Sequence, residues 1–218
     1  MKFKFTGREV RDILISVLVL GLMFSYRNID YFVQLTLIVG IAFVFHELAH
    51  KFIAVRFDCK AEYVLWPQGV LFSLLILFIS GGRFFFAALG FVSISTFYAT
   101  RIGYRYINLS LREIGLISIA GPTTNVIIAL IASAISPFIP FAEFAVWLNL
   151  ILAIFNLLPV PPLDGSKVFM WSRLAWAGLI SLAVALIFLL PLLGALVSLF
   201  IAIALLALIF IIFQKEGL

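Results

Sequence analysis

Charge is scarce in this 218-residue chain: 11% of its residues are Asp, Glu, Lys or Arg, against about 25% in soluble domains. Hydrophobic residues make up 65%. So few charges cannot clothe a surface in water, which excludes a soluble globular protein. The same numbers exclude disorder, because disordered chains are poor in apolar residues. A single cysteine, Cys59, excludes a disulfide scaffold. No repeat, low-complexity tract or polar stretch long enough for a soluble appendage is visible. The net charge of +5 forms no dense basic patch, so nucleic acid is excluded as a partner. The basic residues fall between long apolar runs, as loops beside membrane spans do. The chain therefore reads as one integral-membrane domain over residues 1–218, an all-α polytopic protein in a lipid bilayer.

A helix needs about 20 apolar residues to cross a bilayer, with about 17 as the lower range. Leu174 to Gln214 holds no charge in 41 residues, enough for two crossings with a turn at Pro191 and Gly194. Ile114 to Ala142 supplies 29 uncharged residues and Phe144 to Leu163 supplies 20. Ile13 to Tyr26 is a shorter run; it lacks a small-residue cleavage site, so a retained helix is expected and not a signal peptide. A further run begins at Tyr31 and continues through the histidines into Phe52 and Val55. In all, about 6–8 membrane segments are expected.

The stretch from Tyr63 to Thr100 is ambiguous. Val70 to Ser80 suits a short helix, whereas Phe84 to Thr96, with partial alternation from Phe91, suits a strand as well as a helix. A lone strand in lipid would leave its backbone unpaired unless protein or water satisfied it. Two short spans, or one span plus a membrane-embedded β-hairpin, remain open. Both runs are too short for each to be a full-length helical span. If the N-terminus is cytoplasmic and this pair counts as out and back, 13 of the 15 Lys and Arg residues fall inside, leaving Arg27 and Arg83 outside. That is a positive-inside distribution. Both termini, a Lys51 to Glu62 loop, and Asp164 to Arg173 are then cytoplasmic.

Ionisable residues within spans are costly and usually functional. The sharpest group is His46-Glu47-Leu48-Ala49-His50, which contains the only two histidines. Four residues apart on a helix, His46 and His50 share a face and can bind one metal ion. Glu47 sits about 100° round the helix, placed to meet a metal-bound water instead of the metal. The competing reading is a polar helix end at the interface, but the uncharged run Tyr31 to Phe45 leading into the motif argues for the metal. Catalytic zinc usually has three protein ligands. With no third histidine, and Cys59 in a charged loop, a carboxylate is required. Asp164 closes an apolar, proline-rich stretch where the helix must break; Glu143 falls on the opposite side by the topology count. An N-cap is the competing role for Asp164; beside the histidine pair, ligation is the better reading.

With these residues in view, the sequence resembles the site-2 protease family of intramembrane zinc metalloproteases, peptidase family M50. HELAH at His46 to His50 matches the HExxH motif, NLLPVPPLDG at Asn156 to Gly165 matches NxxPxPxxDG, and Gly121-Pro122-Thr123-Thr124-Asn125 resembles GPxxN. The likeness covers a core of about Tyr31 to Lys167. It implies one Zn2+ held by His46, His50 and Asp164, with Glu47 as general base. It makes Asn125 and Asn156 candidates to orient substrate or polarise its carbonyl, an interhelical hydrogen bond being the equal alternative. Asn149 reads as structural. Ala49 stands where many members have glycine. The family's membrane-embedded strand region would correspond to part of Gly69 to Thr96. The implied substrate is a membrane-spanning protein, and the implied setting is a prokaryotic cell membrane. The other functional class is a transporter or channel using the same His, Glu and Asp residues as an ion relay. No pair of internal repeats supports it, and a relay does not need the HExxH register.

Overall fold

In the computed structural model, residues 3–83, 88–100, 103–192 and 194 are described. Helix α1 (Gly7–Ser25) begins where the Thr6 hydroxyl accepts the Glu9 N–H, an N-cap. A single turn at Ile29–Tyr31 leads into α2 (Phe32–Arg56). Strand β1 (Lys60–Leu65) follows after three residues, and Pro67 at a first-turn position opens α3 (Pro67–Ile79). Gly81 and Gly82 then adopt positive φ (59° and 73°), which glycine alone takes without strain. Strands β2 (Gly90–Ser95), β3 (Phe97–Thr100) and β4 (Gly103–Tyr106) precede α4 (Leu111–Ile135). A reciprocal pair of bonds between Ser110 and Glu113 starts α4, a capping box. Helices α5 (Ala142–Asn156), α6 (Asp164–Trp171) and α7 (Arg173–Leu192) complete the described chain.

The molecule is mostly helical, as the composition implied. Among the described residues, three helical segments are long and apolar enough to cross a membrane: Ile29–Arg56, Leu111–Ile135 and Arg173–Leu192. α3 and α5 are apolar but shorter. Large apolar side chains such as Leu37 and Phe45 on α2, Ile127 and Ile131 on α4, and Phe188 on α7 face outward, where a lipid environment leaves them without penalty. The interior lies between the helices. Val126 and Ala129 of α4 meet Leu150 and Ala153 of α5 and Ala183 and Leu186 of α7. Leu20 and Met23 of α1 pack with Val39 and Ala42 of α2, Leu77 of α3 and Leu148 of α5. A small residue lets α1 and α2 come close: a Cβ at Gly21 would run into the Thr36 side chain, as at the small residues of membrane helix pairs.

Two details differ from expectation. Lys51 to Glu62 is not a loop: α2 runs to Arg56 and β1 starts at Lys60. Ala61 and Tyr63 turn inward between the less buried Lys60 and Glu62, the period-2 pattern of a strand, and the charges on the alternate positions disguised it. The strand expected near Phe91 exists, but its partner is β1, antiparallel in the register Tyr63↔Val92 and Leu65↔Gly90. α3 is therefore the connection between paired strands. A separate hairpin, β3–β4, follows it. With α3 only 13 residues long and 90–95 a strand, these two runs are not a pair of full-length spans; residues 84–87 lie outside the described residues. α7 includes Pro191 and its described run ends at Leu192; the turn expected at Pro191 and Gly194 spans residue 193, outside the described residues. Apolar membrane helices tolerate proline when neighbours satisfy the backbone. The second crossing expected in the last run lies mostly in 195–214, outside the described residues.

Candidate metal centre

α2 places His46 and His50 one turn apart, both buried. α4 packs directly against this face and supplies an acceptor for each ring. His46 Nδ1 donates to Asn125 Oδ1, and His50 Nδ1 donates to the Ile117 carbonyl at 2.7 Å. Both rings are therefore oriented with Nδ1 protonated and the Nε2 lone pair directed away from α4. The two Nε2 atoms lie 3.0 Å apart. Asp164 Oδ2 lies 3.4 Å from His46 Nε2 and 3.0 Å from His50 Nε2.

With both imidazoles neutral, three acceptor atoms thus converge, an arrangement that is repulsive unless a cation sits at their focus. The spacing suits one. Tetrahedral ligands about 2.0–2.1 Å from zinc lie about 3.3 Å from one another. Two imidazoles and a carboxylate form a donor set that zinc accepts, with room for water in the fourth position. Among the described residues, His46, His50 and Asp164 are the group of this kind.

The local sequence explains how Asp164 arrives there. α5 ends at Asn156, the proline-rich segment reverses the chain, and Asp164 opens α6. Gly165 is pressed against the Leu157 and Leu158 carbonyls, where a Cβ could not fit. Trp176 Nε1 donates to the Leu157 carbonyl at 2.6 Å and ties this corner to α7.

A cavity of about 800 Å³ opens beside the site. Glu47, Ser118, Asn156, Ser166 and Lys167 supply polar groups to its wall, and β2 from Gly90 to Ile94 forms one side. Lys167 Nζ lies 3.8 Å from Asp164 Oδ1. Glu47 is half-buried and lines the same cavity as the histidines.

The two asparagines separate. Asn156 lines the cavity, and its Nδ2 donates to the Leu152 carbonyl. Asn125 is fully buried. Its Oδ1 holds His46, and its Nδ2 donates to the Ala42 carbonyl at 3.2 Å and to Asn149 Oδ1 at 2.9 Å. Asn125 therefore sits behind the histidine with its amide occupied, and Asn149 stands behind Asn125. One contact was not anticipated at all. Gly121 brings α4 so close that a Cβ there would run into the Nε2 atoms of both histidines. The glycine next to Pro122 in the GPTTN stretch was the available signal. Pro122 also removes the N–H that would pair with the Ser118 carbonyl, on the cavity side of α4.

Sequence comparison bears on the same residues. The model for peptidase family M50 matches residues 132–172, a segment that includes α5 and Asp164. A Methanocaldococcus jannaschii protein, provisionally named a zinc metalloprotease, is 34% identical over 184 residues, 80% of this chain and 90% of the relative. The chain belongs to peptidase family M50. A Bacillus subtilis protein with the same provisional name is 27% identical over 168 residues, covering 66% of this chain and 71% of that one. No solved structure matches. This M50 peptidase is a metalloprotease, and its long apolar helices fit a membrane protein. Nothing in these matches favours the transporter reading.

Proposed function

We propose that this M50 peptidase cuts peptide bonds within or beside the transmembrane helices of other proteins, with one Zn2+ held by His46, His50 and Asp164. The observation that carries the reading is the convergence of three lone-pair atoms whose imidazoles are each locked by a hydrogen bond from Nδ1. Zinc bound there supplies Lewis acidity, bringing the pKa of a bound water to about 7 and polarising a carbonyl. Glu47, on the cavity wall beside the histidines, accepts the water's proton and returns it to the leaving amine. Asn125 and Ile117 keep the imidazoles oriented throughout. Asn156 is placed to meet the substrate backbone within the cavity.

A helix must unwind to expose its scissile bond, and β2 offers a template. The Tyr63 and Leu65 N–H groups point away from β2, into Glu9 and Asp12, so their partners Val92 and Gly90 are in non-hydrogen-bonded pairs. Gly90, Val92 and Ile94 then direct their N–H and C=O groups toward the opposite edge, on the strand that lines the cavity. An unwound substrate segment added there would be held by main-chain bonds. We further propose a single domain over 1–218 with a catalytic core of about 31–167, about 6–8 membrane segments, a prokaryotic cell membrane as its site, and both termini in the cytoplasm.

The test uses the purified full-length protein, its zinc content and the cleavage of a single-span substrate. Glu47→Gln should lower cleavage at least about 100-fold, the scale of general-base catalysis, and keep the metal. Asp164→Ala should lose both zinc and cleavage. An Asp164→Ala protein with full zinc content and undiminished cleavage refutes the assignment. Metal flux into vesicles without cleavage would instead favour transport.

A further inference from the structure

α1 carries a second set of buried charges that the chemistry above does not use. Glu9 and Asp12 are 1% and 2% exposed. Glu9 Oε1 accepts the Tyr63 N–H at 3.0 Å, and Asp12 Oδ2 accepts the Leu65 N–H at 3.2 Å. These are alternate amides on the edge of β1 that faces away from β2. One turn further along α1, Ser16 Oγ lies 2.8 Å from Tyr63 Oη. The other oxygen of Glu9 accepts from Lys51 Nζ, which also donates to the Lys4 carbonyl at 2.7 Å and lies 4.3 Å from the Phe5 ring centroid. Lys51 is the residue after the ligand His50.

We infer that Glu9 and Asp12 are positioning residues that fix the β1–β2 sheet relative to the metal-binding helix and leave the cavity edge of β2 as the edge open to a substrate strand. This deepens the proposed function and rests on its reading of β2 as the receiving edge. An edge strand pairs with whatever extended chain meets it. In β1 that edge is occupied by carboxylates, which act as fixed acceptors in place of a strand. One carboxylate, Glu9, holds β1 with one oxygen and Lys51 of α2 with the other, alongside the edge-to-face contact of Phe43 on α2 with Tyr63 on β1.

Asp12 is the residue to vary, because its cationic neighbours Arg8 and Arg11 are exposed, whereas loss of Glu9 would strand the buried Lys51. Purified full-length Asp12→Ala and Asp12→Asn proteins are compared with the parent by amide exchange at Leu65, zinc content, and KM and kcat on the single-span substrate. Asn keeps an acceptor oxygen and Ala does not. In Asp12→Ala, Leu65 exchange should rise about tenfold and KM about tenfold, the scale of one hydrogen bond to a charged group; kcat and zinc content should stay unchanged. Asp12→Asn should restore both values. Unchanged Leu65 exchange and KM in Asp12→Ala, or an Asn variant as impaired as the Ala variant, would overturn the inference. A parent protein that binds zinc but cleaves nothing would sink the protease reading, while the exchange data would still decide whether Asp12 braces β1.

Discussion

Gly121 is the position where the smallest change should do the most to the proposed zinc site. α4 runs so close beneath the ligands that a Cβ at residue 121 would lie 2.6 Å from His46 Nε2 and 2.7 Å from His46 Cε1, with His50 Nε2 closer still. Ordinary van der Waals contact begins near 3.4 Å, so α4 or both imidazoles must retreat by at least about 0.8 Å. Metal–ligand distances tolerate about 0.2 Å. The required shift is several times that, and the methyl group would also occupy space beside both Nε2 lone pairs. Losing an outer hydrogen-bond partner of a metal-binding histidine costs about 10–100-fold in affinity. Displacing two ligands at once should cost more: at least about 100-fold for Gly121→Ala, or about 2.8 kcal/mol at 1.4 kcal/mol per decade. The helix itself should survive, since alanine favours an α-helix over glycine by about 1 kcal/mol. The assay is zinc competition against a chelator, with thermal melting of the metal-free proteins to establish that both are folded. Gly178→Ala in α7 is the control, because a Cβ there meets nothing within 4 Å; its affinity should match the parent. A folded Gly121→Ala protein that binds zinc within threefold of the parent would refute the reasoning.

Two further outcomes are expected. Asn125→Ala removes the acceptor of His46 Nδ1 and the donor to Asn149 Oδ1, and should weaken zinc binding about 10–100-fold; unaltered affinity in a chelator titration would show that Asn125 does not orient the ring. A cysteine introduced near the N-terminus should label only from the cytoplasmic face in sealed vesicles, after Cys59 is replaced. Background from the native thiol should be small in any case, since Cys59 is buried and burial, then the nearby Glu113 and Asp58 carboxylates, hold its pKa above the usual thiol value. Labelling of the N-terminal cysteine from outside an intact cell would overturn the orientation.

The convergence of His46, His50 and Asp164 was legible because its rules are local. Two imidazoles four residues apart must share a helix face wherever that helix goes, and an aspartate after a proline-rich break can turn toward a cavity. That Asp164 lies against residues more than 110 positions away needed only elimination, since few carboxylates flank apolar runs in a chain so poor in charge. The asparagines show where such reasoning stops. A buried amide in an apolar helix must find partners, but residue type does not say which. Asn125 meets His46 across 79 positions and Asn149 across 24, and Asn156 is left on the cavity wall; the motifs set Asn149 apart but did not separate Asn125 from Asn156.

The same limit, applied to α1, explains the largest omission. The basic residues near the N-terminus serve as topology markers, a role for charges facing water. Glu9 and Asp12 are spaced i, i+3 on a helix that is otherwise apolar beyond them, and α1 buries the side they share. A buried carboxylate requires donors, and a β-strand edge offers N–H groups at every second residue. β1 presents Tyr63 and Leu65 at that spacing. Acid spacing and strand alternation were each visible in the sequence, but short strands with charged alternate positions resemble loops, so nothing linked them. The link is tertiary: it exists only once α2 returns the chain past α1, and it turns what looked like interfacial charge into contacts that join the sheet to the helix carrying His46 and His50.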